Sequence, residues 1–143
     1  MSAKSIAVKL LARREHSVQE IRQKLRQREF EDQEIDQTVI ELQQGGWLSD
    51  ERFTEAYIRM RQARGFGPVR IGVELRERGV DEALVDQYLD PGAPAWLESL
   101  REQYDKKYAA KPIADYNDKA KRIRFLQYRG FTLHAIHDVL DEM

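Results

Sequence analysis

Apolar residues recur along the chain at helical spacing, and strand-like alternation is almost absent. Ser17 followed by Glu20 has the S-x-x-E form of a capping box, after which Val18, Ile21 and Leu25 repeat every three to four residues. This predicts a helix of about 12 residues starting there. A second start is expected at Gly67-Pro68, with Gly as N-cap and Pro at the first helical position, where its missing N–H is not needed, and with Ile71 and Leu75 as the apolar stripe. Thr132 offers a third N-cap, before Leu133, Ile136 and Leu140. Phe66 and Phe131 precede the last two caps, and Ile71 and Ile136 stand at the fourth helical position, the arrangement of a hydrophobic staple.

The three starts superimpose. A shift of 50 places Val8, Leu10, Arg14, Ser17, Ile21 and Leu25 on Ile58, Met60, Arg64, Gly67, Ile71 and Leu75. A shift of 65 carries Ile58, Met60, Arg64, Gly65, Phe66 and Ile71 onto Ile123, Phe125, Arg129, Gly130, Phe131 and Ile136. Neither matches the ~34-residue period of a tetratricopeptide repeat. Gly45-Gly46 stops the helix carrying Ile35, Val39 and Leu42, and Ser49 caps the next one. Asp90-Pro91-Gly92 ends the middle unit, and Lys111-Pro112 interrupts the last one before a helix from Asp115 to Arg129. The expectation is an all-α fold, an elongated, curved array of three tandem three-helix units over residues 1–48, 49–92 and 93–143, each with a small core.

Charge sharpens this picture. The 143 residues carry 24 Lys plus Arg and 25 Asp plus Glu, a net charge of -1, so attraction to a polyanion must come from local segregation. The sign alternates by segment. Residues 1–28 hold 8 bases and 2 acids, residues 29–48 hold 6 acids and no base, and residues 104–129 hold 8 bases and 3 acids before an acidic end. Stacked units would place basic helices on one flank and acidic helices on the other, or the alternation serves solubility alone. Absence of Cys excludes disulfides and thiolate chemistry. With no apolar leader or span-length run, a cytoplasmic protein with no membrane association is expected.

Little chemistry is visible. There is no G-x-G-x-x-G, Walker A or G-x-S-x-G string, and Gly65-Phe66-Gly67-Pro68 follows a helix, so it is read as a helix–helix turn. His134 and His137, near Asp138 and Asp141, form an incomplete ligand set on the wet flank of the last helix, and neither metal nor cofactor is expected. A binding protein, not an enzyme, is the expectation. In the helix from Asp115 to Arg129, Lys121, Arg124, Phe125 and Tyr128 share one face within about 100°, opposite Ala120, Ile123 and Leu126. That face either follows a phosphate backbone or packs its aromatics on a neighbouring unit.

The strings GFGPVRIGVELRERGV (Gly65 to Val80), RFLQYRGFTLHAI (Arg124 to Ile136) and LLARREHSVQEIRQKL (Leu10 to Leu25) resemble the RecX family of bacterial recombinase regulators, and the likeness covers almost the whole chain. Its most specific part is G-x-G-P-x-R-I, matched by Gly65, Gly67, Pro68, Arg70 and Ile71. The resemblance implies a monomer that binds the RecA filament, limits filament growth, strand exchange and ATPase activity, and binds single- or double-stranded DNA weakly. The bases expected to touch phosphates or acidic partner residues are Arg59, Arg64, Arg70, Lys121, Arg124 and Arg129. Arg64 and Arg129 share a register with Arg14, and capping of a preceding helix end is the competing role. Two other functions stay open. One is a helix-turn-helix DNA binder reading bases with Val69 to Arg78, and the other is an adaptor that binds protein alone.

Overall fold

The structure is a computed structural model and describes residues 1–142. Among them the chain forms nine helices and no strand: α1 (Ala3–Arg13), α2 (Val18–Gln27), α3 (Asp32–Gln44), α4 (Asp50–Ala63), α5 (Pro68–Glu77), α6 (Glu82–Tyr88), α7 (Pro94–Tyr108), α8 (Tyr116–Arg129) and α9 (Leu133–Asp141). Among the described residues no helix is long and apolar enough to cross a membrane. Two compact units result, one of Met1–Tyr57 with Leu75–Tyr88 and the other of Ile58–Glu74 with Leu89–Met143.

In the first unit, α1, α2 and α3 pack around Ile6, Ala7, Ile21, Leu25, Ile35, Val39 and Leu42. Local sequence sets their ends. Ser17 accepts from the Glu20 amide while Glu20 reaches back to the Ser17 amide, so two donors that the helix cannot satisfy are matched at once. The Ser17 hydroxyl also donates to the Arg78 carbonyl at 2.8 Å, and Gln19 Nε2 donates to Glu77 O at 3.0 Å. The start of α2 is thereby tied to the last carbonyls of α5. Ser49 caps α4 by accepting from the Arg52 amide.

Two titratable groups beside this junction are perturbed. Burial pushes the Asp50 carboxyl up, opposed by the hydrogen bond it accepts from the Val18 amide at 2.8 Å. Burial lowers the His16 pKa from 6.5, against the opposing hydrogen bond to the Arg14 carbonyl at 3.0 Å. The folded protein therefore holds His16 neutral while the unfolded chain protonates it as pH falls through about 6.5, and the unfolded state binds the extra proton. Stability from this group is complete above 6.5 and declines below it. The expected result is a melting temperature that drops between pH 7.5 and 5.5, with His16→Gln flattening the slope; an unchanged slope in that variant would place the dependence elsewhere.

In the second unit, α7, α8 and α9 enclose Trp96, Leu100 and Tyr104, Leu126, and Ile136, Val139 and Leu140. Asp115 caps α8 by accepting from Asp118 N at 2.8 Å, and Gly130 ends it at φ 104°, a left-handed conformation that only glycine adopts without strain. Thr132 caps α9 by accepting from the Ala135 amide. The staples differ from one another. Phe131 and Ile136 are both buried, but Phe66 is only half-buried and carries guanidinium groups on its ring.

Part of the alternating charge is paired locally. Lys4 pairs with Glu41, Arg22 with Asp36, Arg26 with Asp32, and Arg76 with Glu82 in the first unit, as Lys119 does with Asp141 and Arg101 with Glu142 in the second. Within each unit these pairs join basic and acidic side chains of segments that pack together. Such exposed pairs contribute about 0–1 kcal/mol each. They match helix to helix and use up many of the cations.

Candidate functional site

In the second unit, arginines and aromatic rings alternate in one stack. Its anchor is Glu74, which accepts from Arg61 Nε and Nη2 at 2.8 Å each. Both side chains are about 15% exposed or less, and this forked pairing fixes the guanidinium plane. Arg70 shares the same carboxylate at 3.3 Å and donates from Nη1 to the Tyr128 carbonyl at 3.2 Å. The Phe66 ring lies among three guanidiniums, with Arg61 at 3.8 Å, Arg70 at 4.4 Å and Arg129 at 5.1 Å from its centroid. Arg70 also stands 5.1 Å from the Tyr128 ring, and Arg129 lies 5.5 Å from Phe125. Contacts of this kind contribute about 0.5–1 kcal/mol each when exposed, and they hold long cationic side chains in one place.

The stack continues onto α7. Lys107 sits 4.0 Å from the Phe125 centroid, Tyr108 meets Phe125 edge to face, and Arg122 lies 4.4 Å from the Tyr108 ring. Arg122 is 2% exposed, and its guanidinium donates to Tyr104 Oη at 2.7 Å, Lys111 O at 3.0 Å, Pro112 O at 3.2 Å and both Asp118 oxygens. Burial opposes its charge, but the hydrogen bonds to Tyr104 and Asp118 outweigh that and raise its pKa. Asp118 is held below the usual carboxylate range by the Ala114 amide and then by Arg122. Burial pushes the Tyr108 phenol up.

The buried line of α8 is therefore Arg122 and Leu126, with Ala120 and Ile123 half-buried, instead of the purely apolar stripe that periodicity suggests. Arg122 can be found in the sequence only by its i, i+4 relation to Asp118. Nothing local signals that Arg61 and Glu74, 13 residues apart, will pair.

The six basic residues expected from the sequence separate into two groups. Arg70 and Arg129 are half-buried in the stack around Phe66, and Arg129 Nη1 also reaches the Arg64 carbonyl at 3.5 Å, beyond the end of α4. Of the three arginines in register, Arg14 hydrogen-bonds the Glu15 carbonyl and Arg129 that of Arg64. The side chains of Arg59, Arg64, Lys121 and Arg124 are exposed and make no ion pair among the described residues. Gly65, Gly67, Pro68 and Ile71 form the α4–α5 turn and the start of α5. Gly67 N donates to Arg129 O at 2.8 Å and Val69 N to Gly130 O at 2.9 Å, so this turn is bonded main chain to main chain with the α8–α9 turn. His134 is exposed and pairs with Asp138 at 3.5 Å.

Family models for the first, second and third three-helix domains of RecX match residues 3–42, 49–89 and 97–140. The chain belongs to the RecX family. Its relatives include Regulatory protein RecX of Pseudomonas entomophila, 39% identical over 98% of this chain and 90% of the relative. Regulatory protein RecX of Legionella pneumophila is 36% identical over 96% of this chain and 91% of its own length. The crystal structure of RecX from Lactobacillus salivarius has the same fold, with a TM-score of 0.81 at 21% identity, covering 99% of this chain and 96% of that one. Like those RecX relatives, this chain is a regulatory protein, built as an all-helical succession of three-helix domains.

Proposed function

We propose that this RecX protein regulates the RecA recombinase by binding its nucleoprotein filament, inhibiting filament growth, strand exchange and ATPase activity without catalysing a reaction, and that it binds DNA weakly. The match to all three RecX domains along the chain carries this reading. The cytoplasm is the compartment where such a partner is met. The second unit supplies suitable contacts. Arg59, Arg64, Lys121 and Arg124 are free to meet phosphates or acidic partner residues, and Val69 and Val73 stand 48% and 47% exposed on α5. Arg70 and Arg129, with their partners already in place, act as positioning residues for Phe66 and Tyr128.

A recognition-helix role for α5 fits poorly. Near its start it presents Val69 and Val73, while Arg70 and Glu74 bond to each other and leave few polar groups to read base edges.

The test is RecA ATPase on single-stranded DNA with added protein. Turnover is expected to fall at stoichiometric protein, and Lys121→Glu with Arg124→Glu is expected to raise the half-inhibitory concentration about tenfold, at roughly 1 kcal/mol or less per exposed charge. Full turnover in the presence of excess wild-type protein would overturn the proposal.

A further inference from the structure

We propose that the exposed face of α8 made by Lys121, Arg124 and Tyr128 binds single-stranded nucleic acid in preference to duplex, with the Tyr128 ring stacking on one unpaired base and the two cations meeting neighbouring phosphates. This rests on the reading of α8 as part of the working surface and specifies what that surface recognises.

At 100° per residue the three side chains lie within about 60° of one another, along roughly 10 Å of helix. Tyr128 is 75% exposed. Arg70 is bound to its carbonyl at 3.2 Å and lies over its ring at 5.1 Å, and Arg70 is itself fixed by Glu74. One side of the ring is thus backed by a guanidinium, and the rest is presented to water. A large exposed ring with one guanidinium over it is suited to serve as a stacking platform.

The charge around it is one-sided. No acidic residue occurs between Lys119 and His137, and Asp118, the last acid before that stretch, is engaged by Arg122. Lys121 and Arg124 make no ion-pair contact among the described residues, although Lys121 helps to hold the Asp118 carboxyl down, whereas Lys119 pairs with Asp141. A protein partner would be better served by the aliphatic surface of Val69 and Val73 than by this single ring between cations.

Strand preference follows from stacking. In a duplex both faces of every base are covered by its neighbours, so Tyr128 gains nothing there, and the two cations act on duplex and single-stranded phosphates alike.

The test needs no recombinase. Binding of a fluorescein-labelled oligothymidylate, the same length of abasic strand and a duplex is followed by anisotropy at several salt concentrations. The full chain is expected to prefer oligothymidylate over both others. Tyr128→Leu should lose about five- to a hundredfold in affinity for oligothymidylate and none for duplex, while Tyr128→Trp keeps the preference. Lys121→Gln with Arg124→Gln should weaken all three probes and lower the single-strand salt slope by about 1.4. Equal wild-type affinity for duplex and single strand, or an unaltered preference in Tyr128→Leu, would overturn the proposal. So would loss of RecA inhibition in Tyr128→Leu with oligothymidylate binding intact, which would assign the face to a protein contact. Single-strand preference in a protein that leaves RecA turnover untouched would instead overturn the RecA reading alone.

Discussion

Replacing Arg122 by methionine is expected to lower stability by about 3 kcal/mol and the melting temperature by about 6 to 12 °C. Methionine nearly fills the volume, so the effect isolates the polar groups. The five guanidinium N–H groups meet five acceptors: Tyr104 Oη, the carbonyls of Lys111 and Pro112, and the two oxygens of Asp118. Removing the donor leaves a buried phenol and two loop carbonyls without their partner, and each buried group left so costs about 1–3 kcal/mol unless water reaches it. Arg122→Lys keeps a charge beside Asp118 but cannot span the loop carbonyls and Tyr104 together, so its loss should fall between wild type and Arg122→Met. Thermal unfolding followed by circular dichroism measures this. Arg124→Met, two residues on but exposed, is expected within about 0.5 kcal/mol of wild type. If both methionine variants melt alike, Arg122 is not holding the α7–α8 connection.

Which parts of this were legible in the sequence follows from how local each determinant is. The capping box of Ser17 and Glu20 and the Thr132 cap involve residues three apart, and helical periodicity sees them directly. The repeat was visible for the same reason. The second shift exceeds the first by the 15 residues that α7 contains, and α8 and α9 take the places of α4 and α5. Arg122 was largely hidden because periodicity scores an arginine as a surface residue, and apart from Asp118 the groups that make its burial tolerable come from α7 and the loop before α8. The stack on Phe66 was hidden because Arg61, Arg70 and Arg129 converge from separate helices. Charge alternation along the chain does not tell which charges pair, and some of them do so between neighbouring helices such as α2 and α3. The six cations named from the sequence included both kinds, and only coordinates separate Arg70 and Arg129, which are already engaged, from Arg59, Arg64, Lys121 and Arg124, which are free.

Gly67→Ala is expected to lose about 3 kcal/mol or more, although alanine favours helices and Gly67 stands at the start of one. Sequence alone explains Gly67 as an N-cap, and for a cap replacement by alanine costs only about 1 kcal/mol. The structure supplies a larger reason. A Cβ on Gly67 would lie 2.6 Å from the Gly130 carbonyl carbon and oxygen and 2.7 Å from the Phe131 nitrogen, all main-chain atoms that cannot rotate away. A Cβ on Gly130 would lie 2.4 Å from Arg70 Cβ, at a φ of 104° that already disfavours any side chain. Either substitution must pry apart the hydrogen bonds from Gly67 N to Arg129 O and from Val69 N to Gly130 O. Once one has done so, the second meets a turn already displaced, so Gly67→Ala with Gly130→Ala should lose less than the sum of the two. Gly46→Ala separates the two effects, since its φ is 77° but its Cβ would meet nothing within 4 Å, and it should lose only the ~1 kcal/mol of backbone strain. Denaturant unfolding of the four variants gives these differences directly. A Gly67→Ala protein as stable as Gly46→Ala would mean that the two turns do not approach as closely as the structure has them. Arg70 follows Gly67 by three residues and Arg129 precedes Gly130, so the same displacement should pull both guanidiniums off Phe66 and release Tyr128 from Arg70.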